Sequence, residues 1–365
     1  MITKENFEES HIKNLQKKYG CDPGLLERVV YAFGLLEALA RVQMPFLFKG
    51  GTCLMLLLDR PMRLSTDIDV IVEPDVLIDE YIDKAVKIFP FLRVDEETRP
   101  KNNNIEKRHF KFTYLSPIQK KEIYILLDVV LEHNCYQQIK ECSIKNSLLL
   151  TGTPEIKVKI PDINCMLGDK FTAFAPWTTG IPLNNGKDME IIKQMYDIST
   201  LLEEFTDFHD MHRTYNEIIK LELGYRGKTT LTPADTLRDT FLTSASIASM
   251  GKILPAEYKY YMQGIQRLRN HIFAETFTPE IAAQRAAHIM YAVSCMLFEA
   301  DYTRIEDTGK YKDMHFTNAF FKPFKYFKKT HMESFAYLIE TEHTVTDEFL
   351  REIQLLIEKR AVLNR

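Results

Sequence analysis

The stretch FLFKGGTCLMLLLDRPMRLSTDIDVIV, residues 46–72, constrains this chain more than any other part of it. It reads as a short strand, a double-glycine turn, an apolar helix from Thr52 to Leu58, and a second strand opening with Asp67-Ile68-Asp69. Alternation along a strand sends Asp67 and Asp69 to one face. Two carboxylates held that close repel each other unless a cation lies between them. Hard oxygen donors of this kind suit Mg²⁺ or Mn²⁺. Gly50 and Gly51, just upstream, let a phosphate approach bare backbone N–H groups at the start of a helix. Together these parts describe a site for a nucleoside triphosphate and its metal.

The rest of the chain must supply a core around that stretch. With 365 residues, the chain is long enough for two domains. The 47 basic and 51 acidic residues leave a formal charge of −4, so any nucleic-acid surface must be a local patch. Six cysteines are scattered without a C-x-x-C pair, which favours reduced, buried thiols over a disulfide frame or a zinc site. The polar N-terminus lacks an apolar signal core, and uninterrupted apolar runs fall short of the roughly 20 residues a membrane helix needs. The expected location is cytoplasmic, away from membranes.

Periodicity orders the remainder. Leu25, Val29, Val30, Phe33, Leu36 and Leu39 recur at helical spacing over 23–43, with Asp22 as cap and Pro23 in the first turn. A helix is expected over 75–89. Strands are expected over 91–97 and 108–115, divided by the polar break KNNNIEK, then over 122–133 and within 145–160. Phosphoryl transfer at paired metals uses a third carboxylate from a neighbouring strand. Asp128, inside the apolar run ILLDVVL, is the candidate, because a carboxylate there is costly to bury without a cation or partner. The alternative is an acid facing solvent. Beyond about residue 162 the pattern is helical, including 190–205, 207–223, 233–248, 255–273, 279–301, 313–340 and 346–362. The expected architecture is α+β: a mixed sheet flanked by helices over 1–205, then an all-α domain over 206–365.

With these motifs in place, the N-terminal half resembles the nucleotidyltransferase fold of the polymerase-beta type. Within that group, Lys49-Gly50-Gly51-Thr52-Cys53-Leu54 followed by Arg63-Leu64-Ser65-Thr66-Asp67-Ile68-Asp69 resembles the AbiEii/AbiGii toxin family of type IV toxin–antitoxin systems. Two later motifs of that family are matched by Gly168-Asp169-Lys170-Phe171-Thr172-Ala173 and Lys193-Gln194-Met195-Tyr196-Asp197-Ile198. The resemblance covers about residues 30–205. It implies that Asp67, Asp69 and Asp128 hold Mg²⁺ or Mn²⁺ beside the triphosphate. It gives Gly50, Gly51 and the Thr52 hydroxyl to phosphate oxygens, Lys170 to the leaving pyrophosphate, and Asp197 to orienting Lys170 or a substrate hydroxyl. Lys49 fits a substrate contact or a surface salt bridge; Arg63 and Ser65 fit a phosphate contact or a brace for the loop. The implied reaction moves a nucleotide from an NTP to an acceptor, with RNA, and the tRNA 3′ end first, as the expected acceptor. An antitoxin acting on transcription is the implied genetic partner. A protein acceptor, and an NTP-binding module without turnover, are the competing classes.

Other features carry less. His209-Asp210-Met211-His212 lacks further ligands and reads as polar residues facing solvent. The loop PWTTGIPLNNGKD holds the only tryptophan, Trp177, as a hydrophobic anchor or a mobile base-stacking loop. FFKPFKYFKKTH, 320–331, fits RNA binding through phosphates and stacking. It fits equally a helix with an aromatic core face and a lysine solvent face.

Overall fold

A computed structural model describes residues 1–58, 62–98, 106–273 and 275–363. The chain forms two compact units. One comprises Met1–Met166 with Asn270–Thr276; the other comprises Leu167–Arg269 with Phe277–Arg365.

The first unit opens with a 3₁₀ turn, Lys4–Phe7, and helix α1, Glu9–Tyr19. Helix α1 is not among the expected elements; it buries only His11, Ile12 and Leu15, and Gly20 caps its C-terminus. Helix α2, Pro23–Arg41, begins as its sequence dictates: the Asp22 side chain accepts from the Leu25 N–H, and Pro23 fills the first position. Strand β1, Leu47–Lys49, leads directly into helix α3, Gly50–Leu57, and strand β2, Ile68–Val72, follows. Helix α4, Asp79–Ala85, precedes β3, Arg93–Glu96, then β4, Glu106–Leu115, and β5, Glu122–Leu131. The polar break expected ahead of β4 lies largely outside the described residues. The sheet order is β1-β2-β5-β4-β3, with β2 parallel to β5 and the other neighbours antiparallel. A separate ribbon pairs β6, Ile139–Ser143, with β7, Lys157–Pro161. Ile125, Leu127 and Val129 of β5 are buried, while Leu126, Asp128 and Val130 lie half-buried on the opposite face. The burial cost anticipated for Asp128 is therefore eased by its face.

Helix α5, Ile163–Ala173, carries the chain into the second unit. There follow α6, Asp188–Glu204; α7, Phe208–Tyr225; α8, Pro233–Ala248; α9, Pro255–Leu268; and α10, Pro279–Phe298. The set closes with the short α11, Phe327–Thr330, then α12, Met332–Thr344, and α13, Asp347–Leu363. Helix α10 packs against α6, α8, α9 and α12. It is long and apolar enough to cross a membrane, yet 72% of its most apolar window is buried in the protein. A helix that is apolar all round is a core helix when its neighbours cover it.

Two expectations change. The compact units part at Met166/Leu167 rather than near residue 205, because α6 buries Ile191, Ile192, Met195 and Leu202 in the helical unit, against α9 and α10. The single helix expected over 313–340 is instead a 3₁₀ turn, Ala319–Phe324, then α11 and α12. Pro323 sits inside that turn, and proline lacks the N–H a regular helix needs. The tryptophan loop is an anchor. Trp177 N–H donates to Asp239 at 2.8 Å, its indole N–H donates to Glu257 at 3.1 Å, and the Arg360 guanidinium lies 5.1 Å above its ring. Arg360 also pairs with Asp239 at 2.8 Å. Burial is the main force raising the Glu257 pKa above the usual carboxylate range.

Candidate active site

The spacing of the first motif becomes intelligible in the contacts of its two glycines. Gly50 has φ +82°, in the left-handed region that favours glycine. A Cβ placed on it would lie 2.8 Å from Asp69 Cγ, so the Asp69 carboxylate rests directly over this residue. A Cβ on Gly51 would lie 2.6 Å from Arg63 Nη2 and 2.9 Å from Ser65 Oγ. The glycine pair is thus the floor on which Arg63, Ser65 and Asp69 pack. Arg63 is buried and bridges backbone-to-backbone with Ile272. That supports the bracing reading for Arg63 and Ser65.

Thr52 departs from its expected role. It is fully buried, and its hydroxyl donates to the Asp67 carbonyl at 2.6 Å. Its side chain ties the start of α3 to the backbone of the acidic motif.

Strand register assembles the rest. Lys49 lies opposite Asp69, Asp69 beside Asp128, and Asp128 opposite His109. Cross-strand partners share a face of the sheet. The result is a row, Lys49–Asp69–Asp128–His109, across four strands, with Asp67 two residues before Asp69. Lys49 Nζ also lies 5.5 Å above the Tyr136 ring. His109 Nδ1 sits 2.6 Å from Asp128 Oδ1. Sequence reasoning missed His109, since nothing short of the β4–β5 register brings it to Asp128.

Whether this donor set suits a divalent cation follows from its chemistry. Among the described residues, no three His, Cys, Asp or Glu side chains converge as a metal cage. Asp67, Asp69 and Asp128 therefore do not form a closed three-carboxylate cluster among the described residues. Mg²⁺ seldom needs such a cage, since it binds through one or two carboxylates plus substrate phosphates. Asp67 and Asp69 fit that mode.

In the second unit, Lys170 of α5 and Asp197 of α6 form an ion pair at 2.9 Å, with side chains 8% and 1% exposed. Gln194 accepts from the same ammonium at 3.3 Å. Gly168 lets α5 approach α7 closely: a Cβ there would lie 2.6 Å from the Met211 carbonyl oxygen. The Arg285 guanidinium lies 4.5 Å from the centre of the Tyr196 ring, beside Asp197, and donates to Ser199 at 3.0 Å.

A family model described as nucleotidyl transferase AbiEii toxin of the type IV toxin–antitoxin system matches residues 35–286. The chain belongs to the AbiEii family. It is accordingly a nucleotidyltransferase of a type IV toxin–antitoxin system, with a nucleotide as substrate and an antitoxin as partner. No curated protein matches the chain. Among solved structures it is similar to JHP933 from Helicobacter pylori, with TM-score 0.44 and 11% identity over 75% of this chain and 93% of that one. A second H. pylori structure, described provisionally as a nucleotidyltransferase, gives TM-score 0.45 and 11% identity over 76% of this chain and 99% of that one.

Two substitutions probe this AbiEii site locally. Gly50→Ala places a side chain at positive φ, costing about 1–2 kcal/mol, and displaces the Asp69 carboxylate. Misplacement by about 1 Å can lower turnover about 100-fold. Transfer of labelled nucleotide should fall by that order while the protein stays folded by circular dichroism; a wild-type rate would refute the packing argument. His109→Ala releases Asp128 from its partner. Loss of such a supporting contact typically costs about 10- to 100-fold in activity. Steady-state kinetics should show the loss in kcat, with KM for the NTP little changed.

Proposed function

We propose that this chain transfers a nucleoside monophosphate from an NTP to RNA, with the tRNA 3′ end as acceptor, and releases pyrophosphate. The observation that carries the reading is the packing of Asp69, Arg63 and Ser65 on the Gly50-Gly51 turn, which couples a phosphate-accepting backbone to an acidic pair. Bound Mg²⁺ or Mn²⁺ would supply charge neutralisation at the triphosphate, and Asp67 and Asp69 are the residues that would hold it.

The other residues act directly. The Gly50-Gly51 backbone N–H groups donate to phosphate oxygens, and Lys49 adds positive charge beside them. Arg63 and Ser65 keep the loop in place. Asp128, steadied by His109, serves the attacking hydroxyl. By the family resemblance Lys170 would offset the charge that develops on the leaving pyrophosphate, with Asp197 holding its ammonium. The RNA acceptor rests on the family resemblance. The formal charge of −4 favours a protein acceptor, so the two are separated by experiment. A cell extract labelled with α-³²P NTP is divided between nuclease and protease. Nuclease-sensitive, protease-resistant label supports RNA; the reverse pattern overturns it.

A further inference from the structure

The segment from Lys310 to His331 carries six lysines and a single acidic residue, Asp313, in a chain of net charge −4. Its aromatic residues are used inside the helical unit. Phe321, Phe324 and Phe327 are buried, at the spacing of three that lines residues up in a 3₁₀ turn. One position along lie Lys322, Lys325 and Lys328, with Lys329 next. Lys322, Lys325 and Lys329 are exposed. Among the described residues, none of these three meets a carboxylate within ion-pair distance. Two other lysines of the segment are engaged: Lys310 pairs with Glu340 at 3.3 Å, and Lys328 donates to the Met314 carbonyl at 2.6 Å. Lys252, also exposed, reaches to 5.5 Å from the Tyr326 ring and widens the positive surface.

We propose that this lysine ridge docks the body of the RNA acceptor through its backbone phosphates. The inference rests on the RNA reading above and adds where that RNA is held. Charge complementarity carries it: adjacent unpaired ammonium groups repel one another, and a polyanion relieves all of them together. The aromatic residues decide the manner of binding. Tyr326 stacks on Phe327 at 4.3 Å, and its hydroxyl donates to the Ala248 carbonyl. No ring of the Phe321, Phe324 and Phe327 column is offered to a base, so the ridge reads phosphates and is indifferent to sequence. An anionic membrane is a poorer match, because interfacial docking also inserts apolar side chains. None of the large exposed hydrophobic residues falls within this segment.

The test uses full-length protein, wild type and the triple variant Lys322→Ala/Lys325→Ala/Lys329→Ala. Filter binding of deacylated tRNA, and of an unrelated RNA of similar length, is measured across a salt series. The salt slope should fall by about one per lysine, hence by about three. Affinity at low salt should drop roughly 10- to 100-fold for both RNAs alike. Binding of a fluorescent NTP analogue reports that the variant is folded and should match wild type. Wild-type tRNA affinity and slope in the triple variant would overturn the ridge and leave the RNA acceptor standing. Absence of tRNA binding by the wild type, with NTP still bound, would overturn both. Loss of binding to phosphatidylserine vesicles in the variant, with tRNA affinity unchanged, would give the ridge to a membrane and overturn the proposal.

Discussion

Replacing Asp67 and Asp69 with asparagine should reduce nucleotide transfer by about 1,000-fold or more, equivalent to about 4 kcal/mol of transition-state stabilisation. Asparagine keeps the volume over Gly50 and removes the charge that would hold a divalent cation beside the triphosphate. The double variant should still unfold cooperatively within a few degrees of the wild-type temperature, so that the loss of turnover is not a loss of the fold. Chelation of divalent ions by EDTA should abolish wild-type transfer to the same floor, and added Mg²⁺ should restore it. Substantial turnover in the double variant would place the acidic pair outside the reaction.

The second large effect concerns Lys170 and Asp197. Both are almost completely buried. Removing one partner of a buried ion pair leaves an uncompensated charge and costs about 3–5 kcal/mol. Asp197→Ala should therefore lower the melting temperature by several degrees. Replacing both partners with apolar residues of similar volume is commonly neutral. Lys170→Met/Asp197→Leu should recover most of that stability. Turnover should stay about 100- to 1,000-fold down, as when an electrostatic stabiliser of a transition state is lost. Thermal unfolding and transfer rates on the same three proteins separate the two roles. A double variant that regains full turnover would make the pair structural alone.

The parts of this molecule legible in its sequence are those set by local chemistry. Gly50, Gly51 and the Asp67-Ile68-Asp69 alternation define strand, turn and helix without reference to anything distant. Helices such as α8 and α10 carry their own periodicity and caps, with a capping box between Thr232 and Asp235. What could not be read depends on contacts far apart in the chain. His109 meets Asp128 only through the β4–β5 register. Arg360 reaches Asp239 from 121 residues away. The break of 313–340 into 3₁₀ and short helical pieces follows from Pro323 and from aromatics at spacing three. That spacing is near enough to a helical period to pass for one. The 166/167 division was hidden for a related reason. The apolar face of α6 looks the same in the sequence whichever unit covers it. The bond from Thr52 to the Asp67 carbonyl was not legible, because a hydroxyl beside a glycine turn serves a ligand or a neighbouring carbonyl equally well in the sequence. Lys170 and Asp197 were legible through their motifs, with Lys170 as one of two expected partners of Asp197; the packing of α5 against α6 brings the two to 2.9 Å.

The most direct measurement incubates wild-type protein and the Asp67→Asn/Asp69→Asn variant with each α-³²P NTP, Mg²⁺ and total tRNA, and follows label on a denaturing gel. The account predicts label in tRNA with wild type and at least one NTP, absent from the variant and absent when the label is on the γ-phosphate. Unlabelled tRNA with every NTP, or equal labelling by the variant, would contradict it.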